Sequence, residues 1–281
     1  MRKTCTGVVA GVAGVLLLSA LAAAQGDAPR SPWKYYPADV RANAGPGGDA
    51  PVRDLTGTWT GESTGAGVER GEGLAPPPLT PLGQQLFDQN LPLAIYSPAG
   101  TNDPFARFCD PLGFPRNMND EARGMTLATG QDRTFLLLMW MNIWREVWTD
   151  GRDLPTNVGG RGPDAHDPTY NGYSIGHWED DYTFVVETTG MAPETWATET
   201  GYPHSAEARV TERFHRSSQN DLTVTTTMND PTLYTRQVAM GEVYFRWIPS
   251  QTFFDFSCVP SSVQRYLDEM ADPAGDPGAG Q

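Results

Sequence analysis

Residues 201–216, GYPHSAEARVTERFHR, concentrate two of the four histidines in the chain, three arginines and two glutamates. Written as a strand over 207–215, the stretch sends Ala208, Val210, Glu212 and Phe214 one way and Glu207, Arg209, Thr211, Arg213 and His215 the other. Glu212 therefore shares the apolar, inward face. A carboxylate there costs several kcal/mol (about) unless it is paired or protonated. Two readings follow, and both stay open from sequence. Burial would raise the Glu212 pKa into the range useful for proton transfer. Alternatively, Glu212 forms an internal ion pair with Arg145 or Arg246 from neighbouring strands. His204, in a loop ahead of the strand, has the imidazole pKa suited to general acid or base work. His204 and Glu212 are thus the candidate catalytic pair. Ser205 beside His204 is no nucleophile on that ground, since adjacency in sequence is not triad geometry.

A second chemical signal is aromatic. Trp140, Trp144, Trp148, Trp178 and Trp247 fall on expected strands with Tyr173, Tyr182, Tyr244 and Phe245. In a hollow barrel such residues line an apolar pocket with a few orienting polar groups; in a filled one they are core. The candidate ligand-binding set is Arg145, Tyr173, His177, Trp178, Arg213 and Trp247, with Arg145, Arg152 and Arg213 able to hold a carboxylate or orient a carbonyl. His177 alternates onto the face of Tyr173 and Ile175, so it is expected inside, as a core histidine or a cavity wall. No metal site is expected: His166, His177 and His204 with Asp164 or Asp167 show no HxH or HExxH spacing. No cofactor is expected either, because phosphate loops, dinucleotide fingerprints and GxSxG elbows are missing from the sequence.

The elements that would position these groups are mostly short strands. DLTGTWTG opens the body, and RTFLLLMWMNIWREVWTDGR reads as two strands, the second with Trp144, Glu146 and Trp148 on one face and Ile143, Arg145 and Val147 on the other. YSIGHWEDDYTFVVETTG is a hairpin turning at Glu179-Asp180-Asp181, and EARVTERFHRSSQNDLTVTTTM a second turning through Ser217 to Asp221. GEVYFRWIP and TFFDFSCV supply two more strands. Leu82, Leu86 and Phe87 share a helical face between Pro81 and Pro92, SVQRYLDEM reads as a terminal helix, and the proline-rich NDPFARFCDPLGFPRN as an ordered loop. The expected fold is mostly β: an antiparallel meander closing into a lipocalin-like, calycin-type barrel with a few short helices. Gly57-Thr58-Trp59 at the head of the first strand is compatible with that.

Residues 1–24 carry Arg2 and Lys3, an apolar run from Val8 to Leu21 and Ala22-Ala23-Ala24 before Gln25, the layout of a secretory signal peptide cleaved at Ala24/Gln25. The mature chain is expected to be periplasmic or secreted, with no stable membrane anchor. Residues 25–52 read as a flexible lead-in, 53–270 as one β-barrel-like domain, and 271–281 as a disordered tail. Loss of Arg2 and Lys3 takes the formal charge of −14 to −16, which repels phosphate backbones and argues against a nucleic-acid partner. The expected partner is a small-molecule ligand or substrate. Cys109 and Cys258 remain in a disulfide-permissive compartment; they pair, closing a loop of about 150 residues, or stay as buried thiols.

REVWTDGR, YSIGHWEDDYTFVVETTG, GYPHSAEARVTERF and NDPTLYTRQ, in this order over residues 54–260, resemble the signature segments of a family of uncharacterised secreted bacterial proteins. The family reads approximately Y-S-x-G-x-W-E-G-D-T-L-V-V-E-T and G-x-P-H-S-x-x-L-R-V-x-E-R-Y at the second and third segments. The resemblance implies kinship, not an activity. Two departures stand out: the usual Glu-Gly-Asp turn is Glu179-Asp180-Asp181, and CVPSSVQRY lacks the Asn, Glu and His that often follow the last strand. Three functions fit these readings: a barrel binding a small apolar or amphipathic molecule, an acid–base enzyme (elimination, isomerisation or hydrolysis) using His204 and Glu212, and a structural envelope protein with a filled barrel.

Overall fold

The computed structural model describes residues 45–63, 77–93, 98–119, 124–249 and 257–275. The expected signal segment, most of the expected lead-in, the glycine-rich GVERGEG, residues 250–256 of the expected last strand and the chain beyond 275 lie outside the described residues.

Nine strands close into a barrel: β1 (Gly57–Ser63), β2 (Gly124–Thr129), β3 (Arg133–Leu138), β4 (Ile143–Trp148), β5 (Tyr173–Trp178), β6 (Thr183–Thr189), β7 (Arg209–Arg216), β8 (Asp221–Asn229) and β9 (Val238–Trp247), with β9 returning to β1. Each strand lies beside its sequence neighbour, as a meander requires. The ring is not wholly antiparallel, however, and the reason is parity. Strands that alternate direction around a closed ring must be even in number, so nine strands force one parallel contact. That contact is β4–β5, and it is short: only Val147↔Ser174 and Trp148↔Ile175 pair. A parallel neighbour needs a crossover, and residues 149–172 supply it, running from the end of β4 back to the start of β5.

The two ends of the barrel differ. Tight turns at 130–132, 179–182 and 217–220 close one end. Residues 45–52, the last part of the expected lead-in, are held there: Asn220 N–H donates to Pro46 O and Gln219 N–H to Gly48 O. Arg216 caps this end from inside. It is 3% exposed, donates to Asp54 O at 2.6 Å and Gln219 O at 2.7 Å, and lies 4.8 Å above the Trp59 ring. Burial pushes its guanidinium below its ordinary range, against the pull of Asp54.

The long connections gather at the opposite end. Helix α1 (Pro81–Gln89) starts on Thr80, whose side chain accepts from Gly83 N–H at 3.1 Å, and Pro81 fits its first turn because that N–H would be unpaired anyway. The proline-rich segment expected to be irregular contains two short helices, α2 (Pro104–Phe108) and α3 (Arg116–Asn119). Asp103 caps α2 through Phe105 N–H and clasps Arg116 with two bonds of 3.0 and 2.8 Å. Residues 112–119 are buried throughout, and Phe114 and Met118 join the barrel core. Helix α4 (Pro260–Tyr266) runs on through a π-type turn to α5 (Asp272–Gly275), so the first residues of the expected tail are helical. Cys109 and Cys258 form a disulfide with Cα atoms 5.5 Å apart, tying the α2 loop to this C-terminal helix.

The strand alternation is regular where the barrel is antiparallel. In β8 every second residue is buried, Leu222, Val224, Thr226 and Met228. Inward side chains from all around the ring, including Trp59, Leu136, Val186, Phe214 and Phe245, form one continuous core. An interior of this strand count is about the width that side chains fill, and this buried cluster runs across it.

Candidate functional site

Glu212 and Arg145 face each other inside the barrel, from β7 and β4. The register placed both on inward faces, and the ion-pair alternative is the one realised: Arg145 Nη1 donates to Glu212 Oε1 at 3.0 Å and Nη2 to Oε2 at 2.8 Å. Their side chains are 1% and 0% exposed. Thr188 Oγ1 accepts from Arg145 Nη2 at 3.3 Å and contacts Ser174 Oγ at 2.7 Å, while the guanidinium lies 3.8 Å over the Phe114 ring. Two-point clasping of a planar cation, with hydroxyls and a ring face around it, is what lets a charge pair persist out of water. Glu212 is thereby engaged along both oxygens, which removes it as a free base.

His204 lies elsewhere, in the connection between β6 and β7, and it is 2% exposed rather than open at a barrel mouth. Thr195 Oγ1 donates to Ala192 O at 2.8 Å, so its hydroxyl proton is used and it accepts from His204 Nε2–H at 2.9 Å. Nδ1 faces Ser205 O at 3.3 Å. An imidazolium would satisfy all three contacts, whereas either neutral tautomer mispairs one of them. Burial nevertheless dominates and pushes the His204 pKa below its ordinary value, against the Ser205 carbonyl and the carboxylates of Asp230 and Glu194. Asp230 is occupied in holding the loops, accepting from Ser205 N–H and Oγ–H and from Thr232 N–H. His204 borders a pocket of about 540 Å³ between α1 and these loops, with Thr195, Glu194 and Leu86. His204 and Glu212 share no hydrogen bond or ion pair and do not line one pocket: the expected catalytic pair is not brought together.

A pocket of about 810 Å³ opens on the outside of the barrel along the parallel seam. Its place follows from the topology. Because β4 and β5 pair at only two positions, residues 142–146 and 169–173 diverge and leave a cleft. Asn171 bridges it with its side chain, donating from Nδ2 to Trp144 O at 3.2 Å and accepting from Asn117 Nδ2 at 2.8 Å. A side-chain amide thus replaces ladder bonds the strands do not make. Trp144 and Tyr170 stand at the cleft 59% and 41% exposed, and Tyr173, with His166 edge-on at 5.5 Å, forms the crossover wall.

Trp148 ends this row as the middle of a stack. The Arg133 and Arg152 guanidiniums lie 3.4 and 3.3 Å from its centroid, and two groups that close must occupy opposite faces. Asp150 accepts both Arg152 Nε–H and Nη2–H, and that bond holds its carboxyl down at about 2. At the other end Met141 and Asn142 both adopt left-handed backbone, φ 61° and 52°; asparagine tolerates this, but methionine pays for it in strain. Asn142 Nδ2 donates to Ser257 Oγ at 3.0 Å, beside disulfide-bonded Cys258, so the rim is anchored through the disulfide.

Of the expected ligand-binding residues, Arg145 and Tyr173 border this pocket, and the others do not. His177 is exposed on the outer face of β5, correcting the expectation of an interior histidine: Ser174, not Tyr173, faces inward, and a single step of alternation decides it. Trp178 packs on Phe184 at 5.3 Å and Trp247 packs against the core. Arg213 is an exposed partner of Glu179. Trp144 and Trp148 were expected inside, as core or as the wall of an interior pocket, and the structure instead leaves Trp144 59% exposed; Tyr170 and His166 were not among the expected binding residues. Among the described residues no group of three or more His, Cys, Asp or Glu side chains is placed to hold a metal ion, and no helix is long and apolar enough to cross a membrane. No family model, curated protein or solved structure matches the chain.

Proposed function

We propose that this chain acts outside the cytoplasm, after signal cleavage, as a lipocalin-like barrel that binds a small amphipathic molecule, and that it does so at the β4–β5 seam instead of in the barrel interior. One observation carries the reading: exposed Trp144 and Tyr170 flank a cleft of about 810 Å³, a size typical of small-molecule sites. Single exposed aromatics need no explanation, but two at the mouth of one concave pocket do. The packed interior supports the change of place, since a ligand there would have to displace Phe114 or the Arg145–Glu212 pair. It is also what a structural envelope protein would have, yet that reading leaves the seam cleft without a role. Acid–base catalysis by His204 and Glu212 loses its support, because the carboxylate is committed to Arg145.

Titration with the apolar fluorophore 1-N-phenylnaphthylamine tests the reading. Saturable enhancement is expected, weakened in Trp144→Ala and unchanged in Tyr182→Ala, whose ring is exposed at the β5–β6 turn. Absence of saturable binding, or equal binding by both variants, would refute it.

A further inference from the structure

The chemistry of the seam pocket narrows its ligand class, and we infer that it takes a short neutral glycan. This inference rests on the binding reading above and concerns the same site. A pyranose ring presents an apolar C–H face and a rim of hydroxyls, so its site needs an open aromatic face beside neutral donors and acceptors. The seam offers that combination. Trp144 and Tyr170 supply rings more than one-third exposed, while the polar side chains of Asn142 and Asn171 flank them, held in place by bonds to Ser257 and to Trp144 O and Asn117. Asp153, also on the rim, is exposed and makes no hydrogen bond or ion pair with the described residues. A carboxylate in that position can accept from two neighbouring hydroxyls of a sugar at once.

Other classes fit less well. A wholly hydrocarbon ligand would strip water from the amides and Asp153 without replacing their bonds, at a cost per group. Among the described residues at the cleft, an anion would find each arginine already paired: Arg145 is clasped by Glu212, Arg152 by Asp150, and Arg133 by Asp132 and Glu146. The formal charge of −14 adds a repulsive field. A cation seeking an aromatic face finds Trp148 already covered by the Arg133 and Arg152 guanidiniums. Neutral, amphipathic and hydroxyl-rich is the remaining description. The open side of the cleft suits a chain that extends past the site, where an enclosed cavity would suit a compact lipid.

The test is a calorimetric titration of the purified, disulfide-bonded protein with cellopentaose, maltopentaose and N-acetylchitopentaose, with pentagalacturonate as the anionic comparison. At least one neutral pentaose is expected to bind, with affinity lowered about tenfold, equivalent to ~1.4 kcal/mol, in both Trp144→Ala and Tyr170→Ala. Tyr182→Ala should match the unaltered protein, and near-ultraviolet circular dichroism checks that the variants fold. If phenylnaphthylamine binds in a Trp144-dependent way and no neutral pentaose does, the glycan assignment fails and the binding reading survives. If neither probe binds, both fail. Tighter binding of pentagalacturonate, or pentaose binding indifferent to Trp144 and Tyr170, also overturns the assignment.

Discussion

Removing one member of the buried Arg145–Glu212 pair strands the other. In Glu212→Leu the Arg145 guanidinium keeps Thr188 Oγ1 and the Phe114 face but loses both bonds to the carboxylate, the 3.0 and 2.8 Å contacts that compensate its burial. Side chains 1% and 0% exposed have no water to turn to, so each single change, Glu212→Leu or Arg145→Met, should cost about 3–5 kcal/mol. Against a typical total stability of about 5–15 kcal/mol, that is a large fraction. With a urea slope near ~3 kcal/mol/M, a loss of about 4 kcal/mol moves the midpoint down by roughly 1.3 M. The double variant is the decisive measurement. Once both charges are gone, Thr188 and Ser174 still bond each other, and apolar side chains fill similar volume. The double should then lie within about 2 kcal/mol of the unaltered protein, giving a coupling energy of several kcal/mol in the double-mutant cycle. Equilibrium urea unfolding followed by tryptophan fluorescence measures all four proteins. If the two single costs simply add in the double, the groups are not coupled inside the barrel and the assignment of Glu212 as a structural partner is wrong.

Two further outcomes are expected. His204 has a folded-state pKa below its ordinary 6.5, so the unfolded chain binds more protons than the folded one just below that pH. Its contribution to stability is therefore full above about pH 6.5 and lost as pH falls from there toward the depressed value. The urea midpoint of the unaltered protein should drop between about pH 7 and 5 more steeply than that of His204→Asn; parallel pH profiles would contradict the burial argument. Reduction of the Cys109–Cys258 bond, which spans 149 residues of sequence, should lower stability by several kcal/mol, roughly 5 in the chain-entropy view. It should also weaken probe binding at the seam, because Ser257 next to Cys258 holds Asn142 on the rim; unchanged affinity after reduction would show the rim stands without it.

Much was legible along the chain because it is written in short-range periodicity. The two hairpins, the inward face carrying Val210, Glu212 and Phe214, and the shared face of Trp144, Glu146 and Trp148 all follow from two-residue alternation, which neighbours along one strand impose on each other; that the last of these faces points to water did not. The proline-capped helix α1 followed from local capping chemistry in the same way. Cys109 and Cys258 had a single possible partner each, though only the fold brings them together. His177 shows how fragile the same logic is, since one step of register exchanges wall for surface.

The site depended on facts with no local signature. Whether Glu212 met Arg145 or Arg246 was decided by which strands lie across the ring, and whether the barrel was hollow by the volume that residues 112–119 bring into its end. That the ring has nine members, and so must contain one parallel contact, is a property of closure and of no single segment. The seam cleft follows from that count: two paired positions between β4 and β5, an asparagine amide bridging the gap, and tryptophans left facing water beside it. Sequence alone determined most of the strands, the inward face of β7 and the charge; tertiary structure decided where a pocket lies, because a pocket is made where elements fail to meet.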